Sequence, residues 1–244
     1  MHWHSRRAVS PSSFLLAAAL TFLSACGVVE SGPNYRYRLT VEVDTPQGLR
    51  SGSSVIAVKC GAVRLPAVGG AGCHARGEAV AVDLPDGRTL FALIRGEHNP
   101  DLINYLASSA VMPTSTDADS LTRDEQWRRR AAFLAQPREV PRTVKGGPIG
   151  KDMVDNYPVF ATFADIGDPA SIRAVNPDAL ENEFGADVRL KRITVQVTEE
   201  PMTKKIKKRL PWLPNMYENL PVDFAPEGIP LGDMLRLFTT ESFQ

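Results

Sequence analysis

The stretch "YRYRLTVEVD", Tyr35–Asp44, alternates two kinds of side chain. Odd-numbered positions carry aromatic and aliphatic residues, and even-numbered positions carry Arg, Thr, Glu and Asp. This period of two predicts a strand with one buried and one solvated face. The following "TPQG", residues 45–48, is typical of a turn, and "SSVIAVK" from Ser53 predicts the returning strand of a hairpin.

A second hairpin is predicted further along the chain. The alternating segments "EAVAVDL" and "RTLFALI" flank Pro85-Asp86-Gly87, a tripeptide that favours a tight turn. Two such hairpins indicate a mostly antiparallel sheet, and its edge strands must be covered so that they do not pair with other chains.

Two helices are predicted to supply that cover. "LINYLASSAV", after Asn99-Pro100-Asp101, has apolar residues at helical spacing. Thr122 and Glu125 resemble a capping box before "QWRRRAAFLAQ", which ends at Pro137. We interpret the arginine triplet of that segment as a solvated helix face, with an anion site as the alternative.

The C-terminal part begins after residues 137–157, whose Pro, Gly, Arg and Lys content predicts a loop. "YPVFATFAD" and "SIRAV" predict strands, and the next segment predicts a helix that starts at Pro177 and ends at Gly185. "VRLKRITVQVTEE" gives the longest strand pattern, with a bulge near Lys191 and Arg192. A short helix is predicted from Leu231 to Phe238.

These elements predict the α+β class, with mostly antiparallel sheets built from hairpins and a few covering helices. We expect residues 35–136, rich in hairpins, and residues 158–244 to form one globular unit. The 244 residues suffice for a real core. Lys and Arg number 28, as do Asp and Glu, so nothing in the overall charge attracts nucleic acid.

The first 25 residues have the layout of a secretory signal peptide, with a basic start followed by an apolar run from Phe14 to Leu23. A run of about ten residues is half of what a membrane-spanning helix needs. Leu23-Ser24-Ala25-Cys26 resembles the lipobox of bacterial lipoproteins. An ordinary secreted protein cut after Ala25, with Cys26 as a free thiol or a disulfide partner, is the alternative.

The lipobox resemblance implies cleavage before Cys26, a diacylglyceryl group on its thiol and an acyl chain such as palmitate on the new amine. Two or more chains give a stable anchor in the membrane. Residues 26–34 would then be a tether. Gly27, where an aspartate would favour retention in the inner membrane, indicates the outer membrane, with the domain facing the periplasm.

The other two cysteines, Cys60 and Cys73, flank the Gly-rich segment "GAVRLPAVGGAG". Because the compartment outside the inner membrane is oxidising, we expect them to form a disulfide. A metal site that adds His74 and His98 is the alternative, although the paired short spacings of a zinc module are missing. We expect no metal and no other cofactor.

A basic segment, "TKKIKKRLPWLP", holds Lys204, Lys205, Lys207, Lys208 and Arg209. Such a cluster beside a tryptophan suits anionic lipid headgroups or a glycan. The alternative, which we favour, is a charged segment whose apolar residues dock on the core.

The catalytic inventory is sparse. Only His74 and His98 remain after processing, and no hydrolase or phosphate-binding motif is present. Asp152 with Asp155, or Glu199 with Glu200, are the candidates for a carboxylate pair, although spacing along the chain does not fix their distance in space. We therefore name no catalytic residue.

The sequence thus predicts a lipid-anchored protein of the cell envelope with a non-enzymatic structural or binding role. The alternative is an envelope hydrolase that cleaves glycan or peptidoglycan through carboxylates. "FADI", "RLKRITVQVTEEP" and "RLPWL" are similar to stretches of uncharacterised proteobacterial exported proteins, a resemblance that implies no activity. The membrane, reached through Cys26, is the expected partner, and the sequence indicates no particular protein partner.

Overall fold

A computed structural model describes residues 33–63, 70–97, 99, 101–110, 121–145, 152–215 and 236–240. The strands are β1 (Tyr35–Asp44), β2 (Arg50–Val63), β3 (Gly70–Arg76), β4 (Val80–Asp83), β5 (Thr89–Ala92), β6 (Arg138–Glu139), β7 (Thr143–Lys145), β8 (Met153–Asp155), β9 (Phe160–Phe163), β10 (Ile172–Val175) and β11 (Arg189–Val197). The helices are α1 (Leu102–Ser109), α2 (Arg123–Phe133), α3 (Glu181–Phe184) and α4 (Ile206–Arg209), with single 3-10 turns at Pro169–Ser171 and Arg236–Phe238. The predicted α+β class is confirmed.

The strands form a five-stranded sheet of order β3-β2-β1-β11-β6, a four-stranded sheet of order β10-β9-β5-β4, and the separate hairpin β7-β8. All pairs are antiparallel. Strand β1 is central, and its alternation is confirmed because Tyr37, Leu39, Val41 and Val43 are buried. Since β1 pairs with β11, the N-terminal and C-terminal parts share one sheet.

Core 1 is the larger of two hydrophobic clusters and unites the inner face of the five-stranded sheet with the four-stranded sheet and α1. Val41, Val82 and Leu106 come from these three layers and are fully buried. The Tyr37 hydroxyl donates a hydrogen bond of 2.7 Å to the carbonyl oxygen of Ile103, which satisfies its only polar side-chain group inside the core.

Core 2 covers the opposite face of the four-stranded sheet with α4 and the C-terminal 3-10 turn. The rings of Phe91 and Phe238 meet edge to face at 5.1 Å, and Phe91 and Phe163 do so at 5.7 Å. With a core on each side, β5 and β9 are buried at every position and lack polar alternation.

The two sheets approach each other closely at Gly52, where β2 passes β4. A Cβ atom at Gly52 would lie 2.7 Å from the carbonyl carbon of Ala81 and 3.2 Å from Val82 Cγ2. Only a residue without a side chain lets the two backbones come so near.

Several local predictions are confirmed. The second hairpin turns through Gly87, whose φ is +85°, and the capping box joins the Thr122 side chain to Glu125. The bulge lies at Lys191, because Glu42 pairs with Arg192 while the next residue of β1 pairs with Leu190.

Other elements differ from the predictions. Residues 137–157, predicted as a loop, contain β6, β7 and β8. Strand β2 has 14 residues and exceeds β11, which has 9, because its pairing with β3 continues into the Gly-rich segment. The helix predicted after Pro177 is only the single turn α3.

Of the predicted terminal helix, Arg236–Phe238 form a 3-10 turn, and residues 231–235 lie outside the described part. No helix within the described ranges has the length and apolar character to cross a bilayer.

Candidate functional site

The disulfide is present as predicted. Cys60 and Cys73 lie directly opposite each other in β2 and β3, with their Cα atoms 4.0 Å apart and their sulfur atoms bonded. Because both thiols are consumed, a metal site that uses them is wrong. His74 is exposed on β3, while His98 and Cys26 lie outside the described residues. In the part of the chain that the structure describes, no three His, Cys, Asp or Glu side chains are placed to hold a metal ion.

The basic segment contributes its apolar residues to core 2. Ile206, Leu210 and Leu213 are buried there, and the Trp212 indole N–H donates a hydrogen bond of 2.8 Å to the Ile166 carbonyl oxygen. The segment therefore lies where the docking interpretation places it.

A buried carboxylate holds the start of α4. Glu78, which is 6% exposed, accepts hydrogen bonds from the backbone N–H of Lys205 at 2.7 Å and of Ile206 at 3.1 Å. Two donors that the helix itself cannot satisfy are thus paired inside the protein. Sequence reasoning missed this role, because Glu78 stands 127 residues before Lys205.

The four lysines of the segment, Lys204, Lys205, Lys207 and Lys208, are exposed. Arg209 is turned away from them, and its Nη2 atom lies 2.9 Å from Oδ2 of Asp83. This hydrogen bond lowers the pKa of the Asp83 carboxyl, against the opposing effect of partial burial. Arg209 therefore belongs to an ion pair that ties α4 to β4.

Three of the four candidate carboxylates form ion pairs with arginines. Glu199 lies 3.3 Å from Arg36, and Glu200 pairs with Arg38. The neighbouring acids thus contact different side chains of β1. A general acid needs a raised pKa. Among the described residues, the carboxyl groups with a shifted pKa, namely Asp83, Asp86 and Glu125, are all shifted downwards.

Asp155 belongs to a different cluster, centred on Arg142 just before β7. The Arg142 Nη2 atom lies 2.9 Å from Asp155 and 3.2 Å from Asp178, and its guanidinium stands 4.7 Å above the centre of the Tyr157 ring. The Nη1 atom is buried without a hydrogen-bond partner among the described residues. Asp152, the predicted companion of Asp155, is exposed.

This cluster is held on the domain by Asn156. Asn156 is 4% exposed, and its amide donates hydrogen bonds to Ser109 Oγ at 2.9 Å and to the Pro141 carbonyl oxygen at 3.2 Å. Asn156 therefore joins the two ends of the β7-β8 hairpin to each other and to the end of α1.

Arg142 and Tyr157 form the shared wall of two adjoining cavities of about 410 Å³ and 350 Å³, which we call the Arg142–Tyr157 groove. The Tyr157 hydroxyl, like that of any tyrosine, is protonated near neutral pH and can donate a hydrogen bond. Burial raises its pKa further above the usual range. Sequence reasoning missed the groove, because Arg142 lies in a segment predicted as a loop and no local motif joins it to Asp178.

The charges around the groove nearly balance. The acidic side chains that line it are Glu97, Asp155, Asp178 and Glu181, and the basic ones are Arg142, Arg189 and Lys191. The arrangement can orient a polar ligand through hydrogen bonds and an aromatic face, without a strong preference for either sign of charge.

Comparison with protein-family models, with curated proteins and with solved structures finds no match for this chain.

Proposed function

We propose that this chain is a bacterial lipoprotein of the cell envelope, held through acylated Cys26 at the outer membrane, with its α+β domain facing the periplasm. The domain acts as a non-enzymatic binding module. The observation that best supports this proposal is the bonding pattern of the cysteines. Cys60 and Cys73 are bonded to each other, which leaves Cys26, in its lipobox-like context, as the third.

Fractionation and mass spectrometry test the anchor. The wild type should remain with the membrane fraction and carry acyl mass on Cys26, whereas Cys26→Ser should be unprocessed or released. The control is the double variant Cys60→Ser with Cys73→Ser, which should keep the acyl mass. A wild-type protein without acyl mass on Cys26 overturns the proposal.

The Arg142–Tyr157 groove is the binding surface within this proposal. Its balanced charge favours a neutral polar ligand, and its size suits part of a glycan strand such as that of peptidoglycan. The Tyr157 ring offers an apolar face and a polar tip for such a ligand. Contact of the lysines of the basic segment with anionic headgroups or an acidic glycan stays a separate prediction.

Titration calorimetry with N-acetylglucosamine oligosaccharides tests the groove. Tyr157→Ala should weaken binding by at least about fivefold, since an aromatic contact contributes about 1 kcal/mol. Tyr105→Ala is the matched control, because Tyr105 is 53% exposed on α1 and does not line the groove. Equal affinities in the two variants contradict the proposal, and the release of shorter oligosaccharides would favour the hydrolase instead.

A further inference from the structure

We propose that the end of the molecule at Tyr35 faces the bilayer, where Lys59, His74 and Arg76 contact anionic lipid headgroups. These three residues lie on the ribbon, by which we mean residues 57–63 of β2 and 70–76 of β3. The inference rests on the proposed acylation of Cys26 and adds the orientation of the anchored domain.

The ribbon projects from the end of the domain at which the anchored segment enters. Strand β1 begins at Tyr35, opposite Val58, and the Asn34 side chain accepts a hydrogen bond of 3.0 Å from the backbone N–H of Cys60. Strands β2 and β3 continue in register to Val63 and Gly70. At about 3.4 Å per residue, the paired part of the ribbon extends on the order of 10 Å beyond Asn34.

The position of Cys26 limits the distance of this end from the membrane. The eight residue steps from Cys26 to Asn34 span at most about 29 Å. Strand β1 has 10 residues and is about 30 Å long, so the hairpin turn after Asp44 lies that much further from the tether. The tether keeps the Tyr35 end close to the lipid, but its length alone permits several orientations of the domain.

Charge selects among these orientations. Lys59 of β2 lies opposite His74 of β3. Arg76 is two residues further along β3, so its side chain lies on the same face as that of His74. All three side chains are exposed, and the sequence from residue 57 to residue 77 contains no aspartate or glutamate. An anionic leaflet attracts the cations Lys59 and Arg76 when they lie within a Debye length, about 10 Å, of its surface.

The far end of β1, at Asp44, carries acidic side chains as well as cations. Two of its cations, Lys191 and Arg192, lie 3.2 Å from Asp44 and 2.9 Å from Glu42, respectively, while Arg50 and Arg189 are exposed there. These ion pairs reduce the attraction that an anionic surface exerts on the far end.

The Tyr35 end is also flanked by α2, because Trp127 packs on the Tyr35 ring at 4.4 Å. Arg128 of that helix is exposed.

The disulfide gives the ribbon its shape. Among the described residues, the ribbon pairs with no third strand beyond Val58, and its sequence is rich in glycine, so packing alone would not order it. The bond between Cys60 and Cys73 holds the two strands in register. Lys59 and His74, the pair next to this bond, are therefore presented together on one face.

Photochemical cross-linking of the full-length acylated protein in phosphatidylglycerol-containing vesicles tests the orientation. A photoreactive amino acid replaces His74 in one protein and Gln47, an exposed residue of the far turn, in the other. Lipid adducts at position 74 should exceed those at position 47 by roughly tenfold, because the far turn lies beyond the Debye length of the surface.

Two charge variants serve as a matched pair. Lys59→Gln with Arg76→Gln should bring the two adduct yields close together, since each near-surface cation contributes about fivefold to membrane association. Arg50→Gln with Lys191→Gln removes the same charge at the far end and should leave the preference for position 74 unchanged.

Equal yields at positions 74 and 47 in a protein that carries acyl mass on Cys26 overturn the orientation and leave the anchor intact. Loss of the preference on Lys205→Gln with Lys208→Gln, but not on the ribbon substitutions, overturns it in favour of the lysines of the basic segment. A preference that is unchanged in vesicles of phosphatidylcholine alone overturns the role of headgroup charge. A missing acyl mass overturns the proposed function itself.

Discussion

The crossing of the two sheets at Gly52 can be tested with a single methyl group. In Gly52→Ala the new Cβ would lie 2.7 Å from the carbonyl carbon of Ala81, whereas an unstrained contact needs about 3.4 Å or more. It would also lie 3.2 Å from Val82 Cγ2. The nearest obstacle is the carbonyl group of Ala81, whose oxygen lies nearer still and which, as backbone, cannot rotate away. Strands β2 and β4 must therefore separate, which loosens core 1.

Overpacking of this kind lowers the free energy of unfolding by about 1–3 kcal/mol. Because the contacting group at Gly52 is backbone, we expect Gly52→Ala to lower it by about 3 kcal/mol. With a urea m value of about 2 kcal/mol/M, the unfolding midpoint should fall by about 1.5 M. The assay is equilibrium unfolding in urea with the disulfide intact, fitted at a common m value.

Gly61→Ala is the control on the same strand, because a Cβ there meets no atom within 4 Å. It should leave stability unchanged or raise it by up to about 1 kcal/mol, since alanine restricts the unfolded chain. If the two alanine variants unfold within about 0.5 kcal/mol of each other, the close approach of the sheets at Gly52 is refuted.

Three further predictions concern bonds that join distant parts of the chain. The double variant Cys60→Ala with Cys73→Ala should lose about 3 kcal/mol of unfolding free energy in urea, because the disulfide closes a loop with a sequence separation of 13; an unchanged midpoint would contradict this. Glu78→Ala should cost about 1–3 kcal/mol by the same assay, since two buried N–H groups lose their acceptor, and Glu78→Gln, which retains one oxygen, should cost less. Asp83 has a lowered pKa when folded, so its contribution to stability is present above its unfolded pKa and is lost as the pH falls through the folded value. Arg209→Gln should therefore show a smaller acid-induced decrease in melting temperature below about pH 4 than the wild type, and identical pH profiles would exclude the ion pair as a source of stability.

Much of the local structure follows from patterns within a few residues of the chain. The alternation in Tyr35–Asp44 reflects the strand period of two, and the turn at Gly87 requires a residue that tolerates positive φ. Thr122 and Glu125 satisfy each other's backbone N–H groups, so their spacing is sufficient to mark the start of α2.

Local sequence patterns did not predict the elements that depend on pairing with a distant segment. β6, inside the predicted loop at residues 137–157, is a two-residue strand that exists because β11 offers an edge. The extension of β2 to Val63 likewise depends on pairing with β3 across the disulfide. A short or Gly-rich segment has too little propensity of its own to reveal such pairing.

The sequence by itself determined the fold class, the two hairpins, the capped helix, the bulge at Lys191 and the disulfide, because each depends on local propensity or on the chemistry of a residue type. Only the tertiary structure decided where charges are placed. It buried Glu78 beneath α4, turned Arg209 towards Asp83 and joined Arg142 to Asp155 and Asp178. The energy of a charge depends on its solvent exposure and on partners that folding brings together from remote positions, and neither is written in the neighbouring residues.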